Sequence, residues 1–328
     1  MIVSTTPLRI SFFGGGSDIP QYYNQCVTKN PGMVISTTID KNIQIALNKC
    51  QTNHIRAVYS EMEVVDKVEQ LRHNRIREAL KYFNIKNNIE ICSFSDVPTK
   101  GTGLGSSSTF TVGLLKALYA HKVLLHNKRD LAEAACEIEI DICGEPIGKQ
   151  DQYAAAYGGF NVIRFDSSGV EVTPLNIGAS VLRKLNDNLM CYSTGISRST
   201  TDILSDQVNN ISNDFDAFDN TTRLVRLAKQ ALGYLEKNKI DDFGALLDEA
   251  WKTKKKLSNK ISNSDIDFMY QRGMSSGALG GKLLGAGGGG YMLFYVPESN
   301  RGSFSLAMRE YKRFNFNFTD QGSTAVTL

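Results

Sequence analysis

The patterning of the chain predicts an α+β protein of two domains, residues 1–180 and 181–328, that share a cleft. Three observations carry this. The chain has 328 residues, more than one hydrophobic core usually serves. Strand and helix periods alternate in its first half, whereas helical periods dominate from about 200 to 273. Glycine clusters near 14, 103 and 287 interrupt apolar segments that would otherwise run on.

Taken in order, residues 2–13 read as a strand, and Ile43, Ile45 and Leu47 alternate with polar residues as a second strand does. Val68, Leu71, Leu80 and Phe83 suggest a helix before a third strand at Ile89 to Ser93. Phe110, Leu114, Ala117 and Leu118 recur at helical spacing, so the central glycine cluster joins a strand to a helix. Asn127, with Asp130 in the first turn, marks an N-cap for a helix through Leu131, Ala135 and Ile138. Gly178, Ala179 and Ser180 break the pattern and place the domain boundary near 180. Beyond it Leu224, Leu227, Ala231 and Leu235 share a helical face, and Ser264 with Asp267 resembles a cap pair. Tyr291 to Val296 reads as a strand, and a last helical segment lies near 302–313.

Composition narrows the function. Hydrophobic residues make up 41% of the chain and charged residues 22%, which suits a soluble, enzyme-sized globular protein. A net charge of +3 is too small to argue for nucleic acid. The run Lys252 to Lys256 lies in a helical stretch and reads as a solvated face. No uncharged apolar run reaches membrane-spanning length, and the N-terminus lacks a basic segment followed by an apolar one. The expected location is therefore cytoplasmic, without a membrane partner. Its 6 cysteines show neither metal spacing nor disulfide density and read as reduced thiols.

The chemistry gathers at the glycines. In Pro98-Thr-Lys-Gly-Thr-Gly-Leu-Gly-Ser-Ser-Ser-Thr109, Gly101, Gly103 and Gly105 lead into three serines and then a helix. Unpaired amides at a helix start, with the positive end of its dipole, favour an anion. The loop is neither a Walker A motif, since no Gly-Lys-Ser/Thr follows, nor a dinucleotide fingerprint, since Ser106 stands where the third glycine would. An earlier cluster, Gly14, Gly15 and Gly16, ends a strand that carries Arg9 and is followed by Ser17 and Asp18. An arginine in an apolar strand needs an anionic partner, and Asp18 could accept hydrogen bonds from substrate hydroxyls. A third cluster, Gly285 to Gly290, reads as a second anion-facing loop. Between them the stretch from Glu137 to Tyr153 places Glu137, Glu139 and Asp151 as candidates for metal ligation and base catalysis, both of which phosphoryl transfer requires.

Together these clusters, in this order, resemble the GHMP kinases, the family of galactokinase, homoserine kinase, mevalonate kinase and phosphomevalonate kinase. The likeness runs from Pro7 to Tyr291. Residues 7–18, Gly148-Lys-Gln-Asp-Gln-Tyr153 and Thr194-Gly-Ile-Ser-Arg-Ser199 look most like its D-glycero-D-manno-heptose 7-phosphate kinase branch. The resemblance implies a ribosomal protein S5 domain 2-like N-terminal domain with a left-handed β-α-β crossover, and a ferredoxin-like α+β C-terminal domain. It also implies ATP-dependent phosphorylation of the anomeric hydroxyl of the heptose 7-phosphate to a 1,7-bisphosphate, on the way to nucleotide-activated heptose for capsule or lipopolysaccharide.

By this similarity Gly101, Gly103, Leu104, Gly105, Ser106, Ser107 and Ser108 would wrap the ATP phosphates. Ser107 and Glu139 would hold Mg²⁺, with Glu137 the alternative to Glu139. Asp151 would take or orient the sugar hydroxyl's proton, and Arg9 would support that carboxylate and the moving phosphoryl group. Gly14, Gly15, Gly16, Ser17, Asp18, Gly287 and Gly288 would face the sugar, and Arg198 and Lys282 its own phosphate. The expected partner is a small sugar phosphate, and a homodimer is left open. The competing readings are a fucokinase-like sugar 1-kinase, an ATP-dependent decarboxylase of the same fold and a non-catalytic binder.

Overall fold

Nine strands among the described residues form one large sheet, and a second, four-stranded sheet stands apart from it. The computed structural model describes residues 1–26, 31–98, 101–197 and 200–328. In chain order the first half comprises β1 (Ile2–Phe13), α1 (Pro20–Tyr23), β2 (Gly32–Lys49), β3 (Ile55–Val58), β4 (Met62–Val65), α2 (Asn74–Tyr82) and β5 (Ile89–Ser95). It continues through α3 (Ser106–His121), α4 (Lys128–Cys136), α5 (Gln150–Tyr157), β6 (Phe160–Asp166) and β7 (Gly169–Pro174). The second half holds α6 (Ala179–Asn188), β8 (Leu189–Ser193), α7 (Thr200–Asn213), α8 (Phe215–Glu236), α9 (Ile240–Lys254), α10 (Ser264–Ser275), β9 (Gly280–Leu283) and β10 (Tyr291–Tyr295). It closes with α11 (Arg301–Ala307), β11 (Arg313–Phe314), β12 (Phe318–Thr319) and β13 (Thr324–Thr327).

The large sheet is mainly antiparallel, in the order β13-β1-β2-β5-β3-β4, with β6, β7 and β12 attached through β2 and β6. β2 is its spine. Residues Gly32 to Ile39 are all buried, so this half of the strand lacks the two-residue alternation that marks Ile43 to Leu47. That is why the sequence pattern revealed only the later half. The segment read as one helix from Val68 to Phe83 instead contains a 3₁₀ turn, Val68–Gln70, followed by α2, whose N-cap His73 accepts from the Ile76 amide.

Helix α3 packs on β1 and β2, and Gly113 lies against the side chains of Thr6 and Ile45. Its residues Val112, Leu114, Leu115, Ala117 and Leu118 are fully buried, so the helix runs inside the core with little amphipathic contrast. The predicted cap of α4 is present as a reciprocal pair: Asn127 accepts from the Asp130 amide, and Asp130 from the Asn127 amide, each at 2.9 Å. Beyond α4 the chain widens into a π turn over Glu137–Ile142, which brings Glu139 fully inside. For α10 the cap is Asn263, which accepts from Asp265 and Ile266, so Ser264 opens the helix rather than capping it.

The four-stranded sheet, β11-β8-β10-β9, carries α9 on β9 and centres on Phe294, Tyr295 and Trp251, all fully buried. The tail then returns to the first layer. β12 pairs with β2, and β13 with β1 from Ile2 opposite Thr327 to Thr5 opposite Thr324. A division at 180 thus leaves the last strands of the large sheet in the second segment. The long-range pairing of the two chain ends carries no local signal.

Candidate active site

Where the two layers meet lies a cavity of about 1050 Å³. Its wall includes the end of β1, the glycine-serine loop, the start of α5, the end of α9 and the Gly285 turn. These segments lie far apart in sequence, and the glycines are what let them touch. A methyl group on Gly103 would fall 2.6 Å from the Leu284 carbonyl carbon and 3.0 Å from the Gly285 nitrogen, and Gly103 has φ +75°. The central loop therefore packs backbone to backbone on the third cluster, which no larger residue permits.

Gly105 is the N-cap of α3, with φ 77° and no side chain capping the first turn. The α3 dipole and its open amides therefore face the cavity. Ser106, Ser107 and Ser108 line it, with Ser107 exposed and Ser106 sharing a 2.9 Å hydrogen bond with Thr102. Leu104 is buried and contributes its carbonyl, which accepts from the Arg9 amide at 3.1 Å.

Arg9 and Asp151 meet at the centre. Arg9 Nε donates to Oδ1 and Nη2 to Oδ2 of Asp151, both at 2.7 Å, and Nη1 donates to the Gly103 carbonyl at 2.6 Å. The carboxylate lies against the loop as well, since a methyl on Gly105 would sit 3.2 Å from Asp151 Oδ2. Asp18 is the second acid. It accepts from the amides of Gly16 at 3.0 Å and Gln150 at 3.2 Å and from Gln150 Nε2 at 3.0 Å. Burial and the neighbouring Asp151 charge push its carboxyl up from the ordinary value.

Glu139 sits beneath the serines with no exposure. Thr111 Oγ1 donates to it at 2.8 Å and Gln152 Nε2 at 2.6 Å, while Arg75 lies 3.0 Å away and bridges on to Glu145 at 3.1 Å. Burial pushes this carboxyl up, against Arg75 and the hydrogen bonds that hold it charged. Arg75 and Glu145 reach the cavity wall and Glu139 lies behind them. Glu137 is exposed on the opposite side of the turn. In the cavity wall His73 meets Tyr59 edge to face, with ring centres 4.6 Å apart, and Phe110 at a 38° tilt and 5.1 Å, beside Ile43, Phe94 and Val97. Burial and the Arg75 charge lower the His73 pKa to about 4, so its ring is neutral at pH 7.

The substrate-facing residues divide. Gly15, Gly16, Asp18 and Lys282 line the cavity. Gly14 packs on Met33, and Ser17 Oγ donates to the Gly14 carbonyl and accepts from the Met33 amide, so both shape the turn from behind. Gly287 and Gly288 lie under Ile261, whose carbonyl accepts from the Gly288 amide, and the third cluster meets the cavity through Gly285 and Ala286 instead. Lys282 Nζ donates to the carbonyls of Ser11 at 2.7 Å and Phe12 at 2.9 Å. Arg198 lies outside the described residues.

Sequence reasoning missed Lys254. It was read within a solvated run, yet it is buried, lines the cavity and donates to the Gly285 carbonyl. The signal was present: Lys254 follows Leu247 by seven residues, Ala250 by four and Trp251 by three, all buried on one face of α9. Thr253 is buried too, while Lys252 pairs with Asp248 and Lys255 with Asp267 toward the surface.

Sequence comparison decides what this site belongs to. The family model for the GHMP kinases N terminal domain matches residues 71–159, and that for the GHMP kinases C terminal matches residues 231–312. A D-glycero-alpha-D-manno-heptose 7-phosphate kinase from Campylobacter jejuni is 32% identical over 98% of this chain and 97% of its own. The chain is a GHMP kinase.

As such it is an ATP-dependent phosphotransferase acting on an alcohol group, of the sugar-kinase type. The GHMP kinase architecture is matched by the crystal structure of a D-glycero-D-manno-heptose 1-phosphate kinase from Bacteroides thetaiotaomicron, with a TM-score of 0.82 and 24% identity, covering 100% of this chain and 99% of that one. A bifunctional fucokinase/GDP-fucose pyrophosphorylase from Arabidopsis thaliana is 26% identical over 90% of this chain but only 30% of its own length.

Proposed function

We propose that this GHMP kinase transfers the γ-phosphoryl group of ATP to the anomeric hydroxyl of D-glycero-D-manno-heptose 7-phosphate, giving the 1,7-bisphosphate used to build nucleotide-activated heptose. The observation that carries the reading is the Arg9–Asp151 pair set against Gly105: a carboxylate at the mouth of a phosphate-binding loop is where an acceptor hydroxyl must meet a phosphoryl group. Full-length likeness to the heptose 7-phosphate kinase supports this choice of sugar.

In this reading the α3 amides and the serines cradle the nucleotide phosphates, and the wall of Tyr59, His73 and Phe110 receives the base. Asp18, on the acceptor side of Asp151, orients sugar hydroxyls. Asp151 holds the reacting hydroxyl and accepts its proton as the oxygen attacks phosphorus. Oxygen donors suit Mg²⁺: Ser107 opens onto the cavity and Glu139 lies behind its wall, where Arg75 supplies the countercharge that the ion would share. Bound there, Mg²⁺ would neutralise phosphate charge. ATP as a substrate and 6 unpaired cysteines suit a reducing, cytoplasmic setting.

The test incubates the protein with Mg-ATP and, separately, D-glycero-D-manno-heptose 7-phosphate, fucose, mannose and galactose, and locates the new phosphate by ³¹P NMR. Phosphorylation of the heptose at carbon 1 is the expected result. Turnover of fucose alone would replace the heptose assignment by the fucokinase-like one. Asp151→Asn is expected to lose transfer by about a thousandfold while keeping nucleotide affinity.

A further inference from the structure

Among the described residues three buried cations line the cavity: Arg9, Lys254 and Lys282. Their hydrogen-bonding donors are committed to different degrees. Arg9 directs three of the five guanidinium N–H groups at Asp151 and Gly103, and Lys282 directs two of three at Ser11 and Phe12. Lys254 directs one, at Gly285. Gly285 packs on Gly103, the residue held by Arg9, so ammonium and guanidinium flank one glycine contact beside Asp151.

We propose that Lys254 is a catalytic residue whose ammonium contacts the transferring phosphoryl group between the nucleotide and Asp151. The proposal rests on the reading that places phosphoryl transfer at Asp151. As the acceptor oxygen bonds to phosphorus and the bond to the ADP oxygen breaks, the hydroxyl proton goes to Asp151. Lys254 keeps its own protons and supplies positive charge to the phosphoryl oxygens. A cation this buried has lost most of its hydration and gains most from an anion delivered to it. Arg9 and Lys282 oppose its charge, whereas Asp18 and Asp151 support it, and burial prevails, lowering its pKa to about 8. In the free enzyme that ammonium loses its proton in mildly alkaline solution, and with it the charge that receives the phosphoryl group.

The experiment measures kcat and kcat/KM between pH 6 and 10 for the wild type, Lys254→Met, Lys254→Arg and Asp151→Asn, using Mg-ATP and the panel sugar that wild type phosphorylates fastest. Calorimetry with the non-hydrolysable analogue AMPPNP reports nucleotide binding. Lys254→Met is expected to lower kcat about 100-fold with the analogue's Kd within about threefold. The alkaline limb of wild-type kcat/KM, which reports the free enzyme, is expected near pH 8 and to move beyond about pH 10 in Lys254→Arg, since a guanidinium does not titrate there. A Lys254 that merely tethers Gly285 would leave that limb in place. Unchanged kcat in Lys254→Met, or an unmoved limb in Lys254→Arg, overturns the proposal, and if Lys254→Met fails to fold the limb alone decides. Wild-type turnover in Asp151→Asn would instead overturn the reading of the site.

Discussion

Arg9 grips Asp151 with two parallel hydrogen bonds of 2.7 Å while its third arm holds the Gly103 carbonyl at 2.6 Å. One side chain thus sets the carboxylate and the phosphate loop in a fixed relation. A planar fork can do this and a point charge cannot. Arg9→Lys is expected to keep the fold and nucleotide affinity but to lower kcat roughly 10- to 100-fold. Steady-state kinetics beside calorimetry would show it, and an unchanged kcat would mean the fork is dispensable.

The contact between Gly103 and the Leu284–Gly285 backbone joins the two layers. Gly103→Ala places a methyl within 2.6 Å of the Leu284 carbonyl carbon at a left-handed φ of +75°. The loss is expected to be about 2 kcal/mol or more, because neither backbone can yield without moving its loop. Denaturant melts would report it, together with weaker nucleotide binding.

Glu139 has no exposure and draws its countercharge from Arg75 at 3.0 Å. Arg75→Gln leaves that carboxylate buried beside a neutral neighbour, at an expected cost of about 3 kcal/mol. The double variant with Glu139→Gln should recover most of the loss. A double-mutant cycle in chemical denaturation measures the coupling, and strictly additive losses would contradict the pairing.

Asp18 gives a pH dependence whose sign follows from burial. Its folded-state pKa is raised above the ordinary 3.8, so the folded protein binds this proton more tightly than the unfolded chain. Stability from the group is full below the unfolded value and is lost as pH rises through the folded one. Asp18→Asn removes the buried charge. Its melting temperature is expected to exceed wild type at pH 7, by a margin that shrinks on acidification, while acceptor KM rises. A margin that grows toward low pH would reverse the argument.

Much of the site was legible in local chemistry. The glycine-serine loop before an apolar helix marked the uncapped start of α3, and Arg9 in an apolar strand announced a buried anionic partner. The Asn127 cap could be read because both of its partners lie within one helical turn. The charged neighbours of Lys254 mask its helical phase, although its spacing from Leu247, Ala250 and Trp251 places it inside. Gly287 and Gly288 were legible as glycine but not by purpose: the backbone they make room for is Ile261, distant in sequence.

By itself, the chain's residue order determined the mixed α+β character, the glycine-serine turn into a helix and the Asn127 cap, since each depends on neighbours within a few residues. Tertiary structure alone decided that Phe318 to Thr327 complete the first sheet, that Arg75 neutralises Glu139, and that Lys254 lines one cavity with Asp151. Those relations join segments from 64 to more than 300 residues apart and rest on burial, which removes water as the alternative partner and leaves each charge to the groups the fold brings near.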